Sequence, residues 1–213
     1  MKVLLGTTNP AKIKRFSDLL KWYGIEWITL SDIEVTEEPE ETGKTPEENA
    51  RMKAAFYGQY ADAVICHDAG LYFEELDIAD LRQPGLHIRT PMHRERLSDE
   101  EMIDYYSKLI AALGGKVTAY YLDGIAVYDH GVISSLMDQK AAQKSGAFYM
   151  IAQASPKRFE GWPLDSLSIN QATGQYFVDG SMEESKGNII NDEYEKRIVD
   201  FLLKALQIRL GSA

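Results

Sequence analysis

The sequence predicts an α/β fold with a partly parallel sheet. Two observations support it in the first half: short apolar runs alternate with helical stretches between residues 2 and 67, and a strong helix-start signal stands at Thr45-Pro46. A third comes later, where residues 117–151 switch to strand-length apolar runs joined by a tight turn, the pattern of an antiparallel segment.

Taken in order, Lys2 to Gly6 is a short apolar strand, and residues 10–23 form a helix closed by Gly24. Asn9 suits the N-cap because its side-chain oxygen can accept from a helix N–H, and Pro10 suits the first helical position, where no donor is needed. A strand at 26–30 leads into an acidic loop. A helix over 46–60 then opens on Thr45 as N-cap, Pro46 and Glu48, which together make a capping box. A strand at 63–67 follows. Ser98 with Glu101 opens a second boxed helix, about 99–113, ended by Gly114-Gly115. Strands at 117–128, 132–137 and 147–152 flank a turn at Asp129-His130-Gly131, and residues 193–206 repeat apolar positions at helical spacing.

At 213 residues with 45% hydrophobic content, the chain is long enough to bury a full core, and one domain spanning 1–213 is expected. No run approaches the roughly 20 apolar residues of a membrane span. The opening residues turn polar too soon for a signal peptide, so a cytosolic protein without membrane contact is expected. The lone Cys66 lies in an apolar strand, where a thiol packs as a small hydrophobe. A net charge of −10 argues against a chain that coats a nucleic acid polymer through its general field.

Three polar constellations fall at or just beyond expected strand ends, where an α/β sheet gathers its ligand groups. The first is the Gly-Thr-Thr-Asn-Pro-Ala-Lys run at 6–12, which reads either as an ordinary strand-to-helix turn with surface lysines or as an anion site made by free helix N–H groups beside Thr8, Asn9 and Lys12. The second runs from Glu40-Glu41-Thr42-Gly43 into the capped helix, where Asn49 and Lys53 stand four apart and share a face. The third is His67-Asp68-Ala69-Gly70. Asp68 reads either as a turn residue before Gly70 or, with Glu41, as one of two hard oxygen ligands for Mg²⁺. The acidic run between Glu34 and Glu48 reads as a solvated face or as a cation holder. His87, His93 and His130 lack metal-ligand spacing, and Arg89 is a further candidate for a phosphate or base.

Together these segments resemble the inosine triphosphate pyrophosphatase family. The resemblance rests on the 6–12 turn, Glu40-Glu41-Thr42-Gly43-Lys44-Thr45 with Glu48-Asn49-Ala50 and Lys53-Ala54, Asp68-Ala69-Gly70-Leu71, Pro84-Gly85, Gly161-Trp162 and Asp165. It implies an elongated mixed sheet flanked by helices, two lobes with a central cleft, Mg²⁺ dependence, a homodimer and a nucleoside triphosphate substrate. It also implies that Thr8, Asn9, Lys12 and Lys53 hold the triphosphate, and that Glu41 and Asp68 bind Mg²⁺ or orient the attacking water. Trp162 falls where the family stacks an aromatic residue on the base, although it also reads as cover for the core edge. Asp165 matches an aspartate near the base, with Leu164 in place of the usual neighbouring tyrosine.

The departures lie on the base side and beside Asp68. After Lys186, the family's Ser-His-Arg triplet is replaced by Ile190-Asn191-Asp192, so a cationic donor has become an acid and the hydrogen-bond pattern offered to the base is inverted. His67 stands where the family has the first acid of a pair, and reads as a hydrogen-bonded strand-end residue. Two functions follow: hydrolysis of nucleoside triphosphates to monophosphate and pyrophosphate, with non-standard purines such as inosine or xanthosine triphosphate as substrates or with a drifted base preference, or a nucleotide-binding or sensing protein that has lost turnover.

Overall fold

The computed structural model describes residues 1–35, 37–91, 95–159, 162–180 and 192–208. In chain order the elements are β1 (Lys2–Leu5), α1 (Pro10–Leu19), β2 (Glu26–Thr29), α2 (Pro46–Tyr57), β3 (Ala63–Phe73), α3 (Asp99–Ala112), β4 (Lys116–Asp129), β5 (Val132–Leu136), α4 (Gln139–Gly146), β6 (Phe148–Ile151), β7 (Ser168–Ile169) and α5 (Asp192–Ala205). The strands form one mixed sheet in the order β2-β1-β3-β4-β6-β7, with β5 paired to β4. Strand β1 runs parallel to β2 and β3, whereas β4 pairs antiparallel with β5 and β6. The expected mixed α/β architecture is therefore present.

The chain divides into two compact units, with the divisions falling inside β3, after Ala69, and inside β4, after Leu122. The first unit holds β1, α1, β2 and α2, the start of β3, the end of β4, and the whole of β5 and α5. Its sheet follows the period-2 rule: Leu4, Val64, Cys66 and Ala126 pack with Ala50, Ala54 and Tyr57 of α2. On the opposite face the partners are α1 and α5, seen in the Phe16 ring against His67 and in Tyr194 against Asp123. The β4–β5 hairpin turns through His130 and Gly131, both at positive φ (47° and 91°), the geometry that matches strand twist. In the second unit α3 covers a core of Leu71, Phe73, Met102, Tyr106, Ile110 and Phe148, among others.

Three local expectations are corrected. Helix α1 ends at Leu19, and the chain reaches Gly24 through tighter i→i+3 bonding such as Tyr23 N–H to the Leu20 carbonyl at 3.1 Å. At the start of α2, the Thr45 hydroxyl accepts from Glu48 N–H at 3.1 Å, but the Glu48 carboxylate accepts from Lys44 N–H rather than from Thr45, so the box is half formed. Strand β3 does not stop at 67. It continues to Phe73 because the side chains of His67 and Asp68 find partners on opposite faces, which removes any need for a turn at Asp68. Helix α4 and strand β7 went unanticipated; one is a short polar segment, and the other is too brief for any periodicity to register.

Candidate active site

The face of the first unit that carries α2 changes from apolar to charged along β3. Val64 and Cys66 are sealed beneath α2, and burial pushes the Cys66 thiol up to about 12, as expected for a packing residue. Two residues further on, the same face presents Asp68. Asn49 and Lys53, one turn apart on α2, both reach it. Asn49 Nδ2 donates to Asp68 Oδ2 at 2.9 Å, while Asn49 Oδ1 accepts from Gly43 N–H at 2.8 Å. Both ends of the buried amide are thus used within the protein, and they fix the orientation of the Asp68 carboxylate. Lys53 Nζ lies 2.8 Å from Glu41 Oε1 and 3.8 Å from Asp68 Oδ1. One ammonium therefore stands between two carboxylates.

The turn after β1 borders the same place. Gly6 N–H donates to the Ile65 carbonyl, and Asn9 N–H to the Thr7 hydroxyl. The Asn9 carbonyl accepts the first helical bond of α1, from Ile13 N–H at 3.0 Å, which puts Asn9 at the N-cap and Pro10 at the first helical position. Thr8 and Asn9 are exposed. Lys12 Nζ donates to the His67 carbonyl at 3.2 Å. Burial lowers the Lys12 pKa, Asp68 opposes that shift and Lys53 adds to it, so Lys12 shares one field with the other charged groups. A cavity of about 480 Å³ is lined by Gly6, Thr7, Thr8, Glu41, Lys53 and Tyr57, with Glu37 and Glu38 of the acidic loop at its wall. The structure thus brings Thr8, Glu41 and Lys53 around one cavity, with Asp68 beside Lys53 and Asn49 bonded to Asp68.

Trp162 and Asp165 belong to the second unit, at a short 3₁₀ turn over Pro163–Ser166 whose Pro163 and Leu164 are buried; the indole of Trp162 is 39% exposed. Lys186 and Asn191 lie outside the described residues, as does His93, and Asp192 opens α5 with only its backbone described. Arg89 is paired with Asp99 at 2.8 Å, and the exposed His130 bonds Asp129. His67 is buried at the face opposite Asp68, with Nε2 2.8 Å from Asp123 Oδ1, so its place in the sequence does not make it a member of the Glu41–Asp68 set. Sequence reasoning missed Arg15, Asp123, Gly124 and Tyr194. The available signal was an Asp-Gly pair inside an otherwise apolar strand, where an acid needs a partner and a glycine marks a close approach.

Among the described residues no group of three or more His, Cys, Asp or Glu side chains is placed to hold a metal unaided. Glu41 and Asp68 are hard oxygen donors that both face the Lys53 ammonium, at 2.8 and 3.8 Å, and as two carboxylates they fit an ion that completes its shell with water and substrate phosphate.

The model of the Ham1 family matches residues 3–144. The chain belongs to the Ham1 family. Among its relatives, the dITP/XTP pyrophosphatase of Thermoanaerobacter sp. (strain X514) is 28% identical over 214 residues, covering 97% of this chain and 99% of the relative. The corresponding protein of Bacillus subtilis (strain 168) is 41% identical over 76 residues, 35% of this chain and 38% of its own. In three dimensions the chain is similar to a HAM1 protein from Coxiella burnetii, with a TM-score of 0.73 at 19% identity over 96% of this chain and 100% of that one. The Staphylococcus aureus Ham1 protein gives 0.69 at 21%, over 96% and 98%. At such identities the structures establish a shared fold. The Ham1 match spans Thr8 through Asp68 and on to Asp123, whereas Trp162, Asp165 and the 186–192 segment lie beyond it.

Proposed function

We propose that this Ham1-family chain hydrolyses non-standard purine nucleoside triphosphates, of the inosine and xanthosine type, to monophosphate and pyrophosphate. The observation that carries the reading is the Lys53 ammonium set between Glu41 and Asp68 on a cavity bordered by the Gly6–Thr8 turn. Relatives named as dITP/XTP pyrophosphatases support turnover over binding alone. The single catalytic domain spans 1–213, in keeping with a relative matched over nearly its whole length.

In this reading the triphosphate lies with its oxygens against Thr8, Asn9 and the N–H groups at the start of α1, while Lys12 and Lys53 offset its charge. Water attacks the α-phosphorus, the bond from that phosphorus to the bridging oxygen breaks, and pyrophosphate leaves. Asp68, held by Asn49, accepts the proton of the attacking water. Glu41 and Asp68 would hold Mg²⁺, which when bound supplies additional neutralisation of phosphate charge. Trp162 stacks on the base, Asp165 and Lys186 line its surroundings, and Asn191 with Asp192 sets the drifted preference. The enzyme acts in the cytosol as a homodimer; no helix among the described residues is long and apolar enough to cross a membrane.

The test is pyrophosphate release with Mg²⁺ across standard and deaminated ribo- and deoxyribonucleoside triphosphates. Release from one or a few bases establishes the activity and its specificity. Silence from folded protein that still binds triphosphates would replace hydrolysis with nucleotide binding.

A further inference from the structure

Asp123 and Gly124 follow one another on β4, so they address opposite faces of the sheet. On one face the Asp123 carboxylate is a junction of three elements. Oδ1 accepts from His67 Nε2 on β3 at 2.8 Å, and Oδ2 accepts from Arg15 Nη1 on α1 at 3.0 Å and from the Tyr194 hydroxyl on α5 at 3.4 Å. Burial opposes the charge on Asp123, yet Arg15 and then His67 hold its carboxyl well below the usual carboxylate range; burial lowers the His67 pKa, and the neutral ring donates its Nε2–H to the Asp123 carboxylate.

That junction governs α1. Arg15 is three residues after Lys12, so the two side chains share a helix face. Phe16 meets the His67 ring edge-on, centroids 5.6 Å apart. Lys12 bonds the carbonyl of the same His67. With Arg15 and Phe16 both held, the rotation of α1 about its axis is set, and the direction of Lys12 follows from it.

On the other face, Gly124 lies against the first turn of α2. A Cβ at Gly124 would stand 2.1 Å from the Pro46 carbonyl carbon and 2.2 Å from Glu47 N. Both are backbone atoms and cannot swing aside, so a side chain at 124 would displace the start of the helix. That helix carries Asn49 and Lys53 within the next two turns.

We propose that Asp123-Gly124 is a positioning pair that seats the two phosphate-site helices from opposite faces of one strand: Asp123 aims Lys12 through α1, and Gly124 aims Lys53 and Asn49 through α2. The inference rests on the reading of Lys12 and Lys53 as triphosphate contacts. It assigns each of the two residues its own lysine, which is what a general structural role would not do.

The experiment is a set of double-mutant cycles on the full chain, with kcat and KM for pyrophosphate release. Asp123→Asn and Gly124→Ala are each expected to lose about tenfold to a hundredfold in kcat/KM, the scale of a small misplacement of catalytic groups. Asp123→Asn should cost little more once Lys12→Ala is present, and Gly124→Ala little more once Lys53→Ala is present. The crossed pairs, Asp123→Asn with Lys53→Ala and Gly124→Ala with Lys12→Ala, should multiply. Multiplication in all four pairs would overturn the proposal. Tyr194→Phe leaves the Asp123–Arg15 pair intact, and its smaller loss should also vanish in the Lys12→Ala background; this variant decides the Asp123 arm if Asp123→Asn fails to fold. Gly124→Ser places the same Cβ against Pro46 and Glu47 and is expected to couple to Lys53 in the same way; if neither Gly124 variant folds, the Asp123 arm alone decides the proposal. If the wild-type chain releases no pyrophosphate, the proposed activity fails separately, and the same cycles read by calorimetry of inorganic tripolyphosphate binding decide the positioning pair; additive losses, or no binding, would sink it.

Discussion

Two clusters of acids and bases lie on opposite faces of β3 and β4, and they use the same chemical groups in opposite ways. In the Glu41–Lys53–Asp68 cluster, Lys53 and Asp68 are each 14% exposed, but the Glu41 side chain is 44% exposed beside a cavity and the lysine is shared unequally between two carboxylates. In the Arg15–His67–Asp123–Tyr194 cluster, the Asp123 side chain is only 11% exposed and both its oxygens are engaged. The open cluster retains capacity for a ligand's charge. The sealed one has little to offer a ligand and instead orients the elements that meet there. Identity of residue type therefore says less about role than the state of its hydrogen bonding and its access to solvent.

The sharpest way to break that comparison is to remove the working groups of the open cluster. Asp68→Asn and Lys53→Ala should each lower kcat by about 100-fold or more, with melting temperatures close to wild type. Unchanged turnover in either variant would take that residue out of the mechanism. The sealed cluster should add a stability loss to its smaller effect on turnover: Asp123→Ala leaves the buried Arg15 without its counter-charge, and urea unfolding should record a loss of about 3–5 kcal/mol. Glu41→Ala, by contrast, should change stability by less than about 1 kcal/mol, because the Glu41 side chain is exposed and Lys53 keeps Asp68 as a counter-charge. Equal stability losses at Asp123 and Glu41 would erase the distinction.

Specificity should respond independently of both clusters. Asn191→His combined with Asp192→Arg restores the donors of the family pattern and should shift preference toward inosine triphosphate by about tenfold; a competition assay showing no shift would mean that this segment does not read the base. The smallest effect is expected in the second unit. Ser98→Ala removes the cap of α3, and should cost about 1 kcal/mol in thermal unfolding while kcat stays at its wild-type value. A fall in turnover there would extend the site beyond the residues named above.

The comparison also separates what was legible in the sequence from what was not. Thr45 and Ser98 announce their helices because a cap acts on N–H groups two or three residues away. The Gly6–Lys12 turn and the Asn49/Lys53 face were legible for the same reason, since turn chemistry and helical spacing operate within a few residues. Asp68 was found, but it was expected at a strand end; its actual place inside β3 depends on Asn49, 19 positions away. Asp123 could be seen only as an acid in an apolar strand, because His67 is 56 positions from it and Arg15 108.

By itself, the sequence determined the α/β class, the helix starts, the Gly6–Lys12 turn and the acids and lysine of the open cluster, all through short-range rules of propensity, capping and spacing. Tertiary structure alone decided that His67 and Asp68 face apart, that Asp123 joins β3, α1 and α5, and that Gly124 admits the start of α2. The physical reason is that strand alternation assigns a residue to a face, but only the folded sheet determines which distant residue waits on that face to meet it.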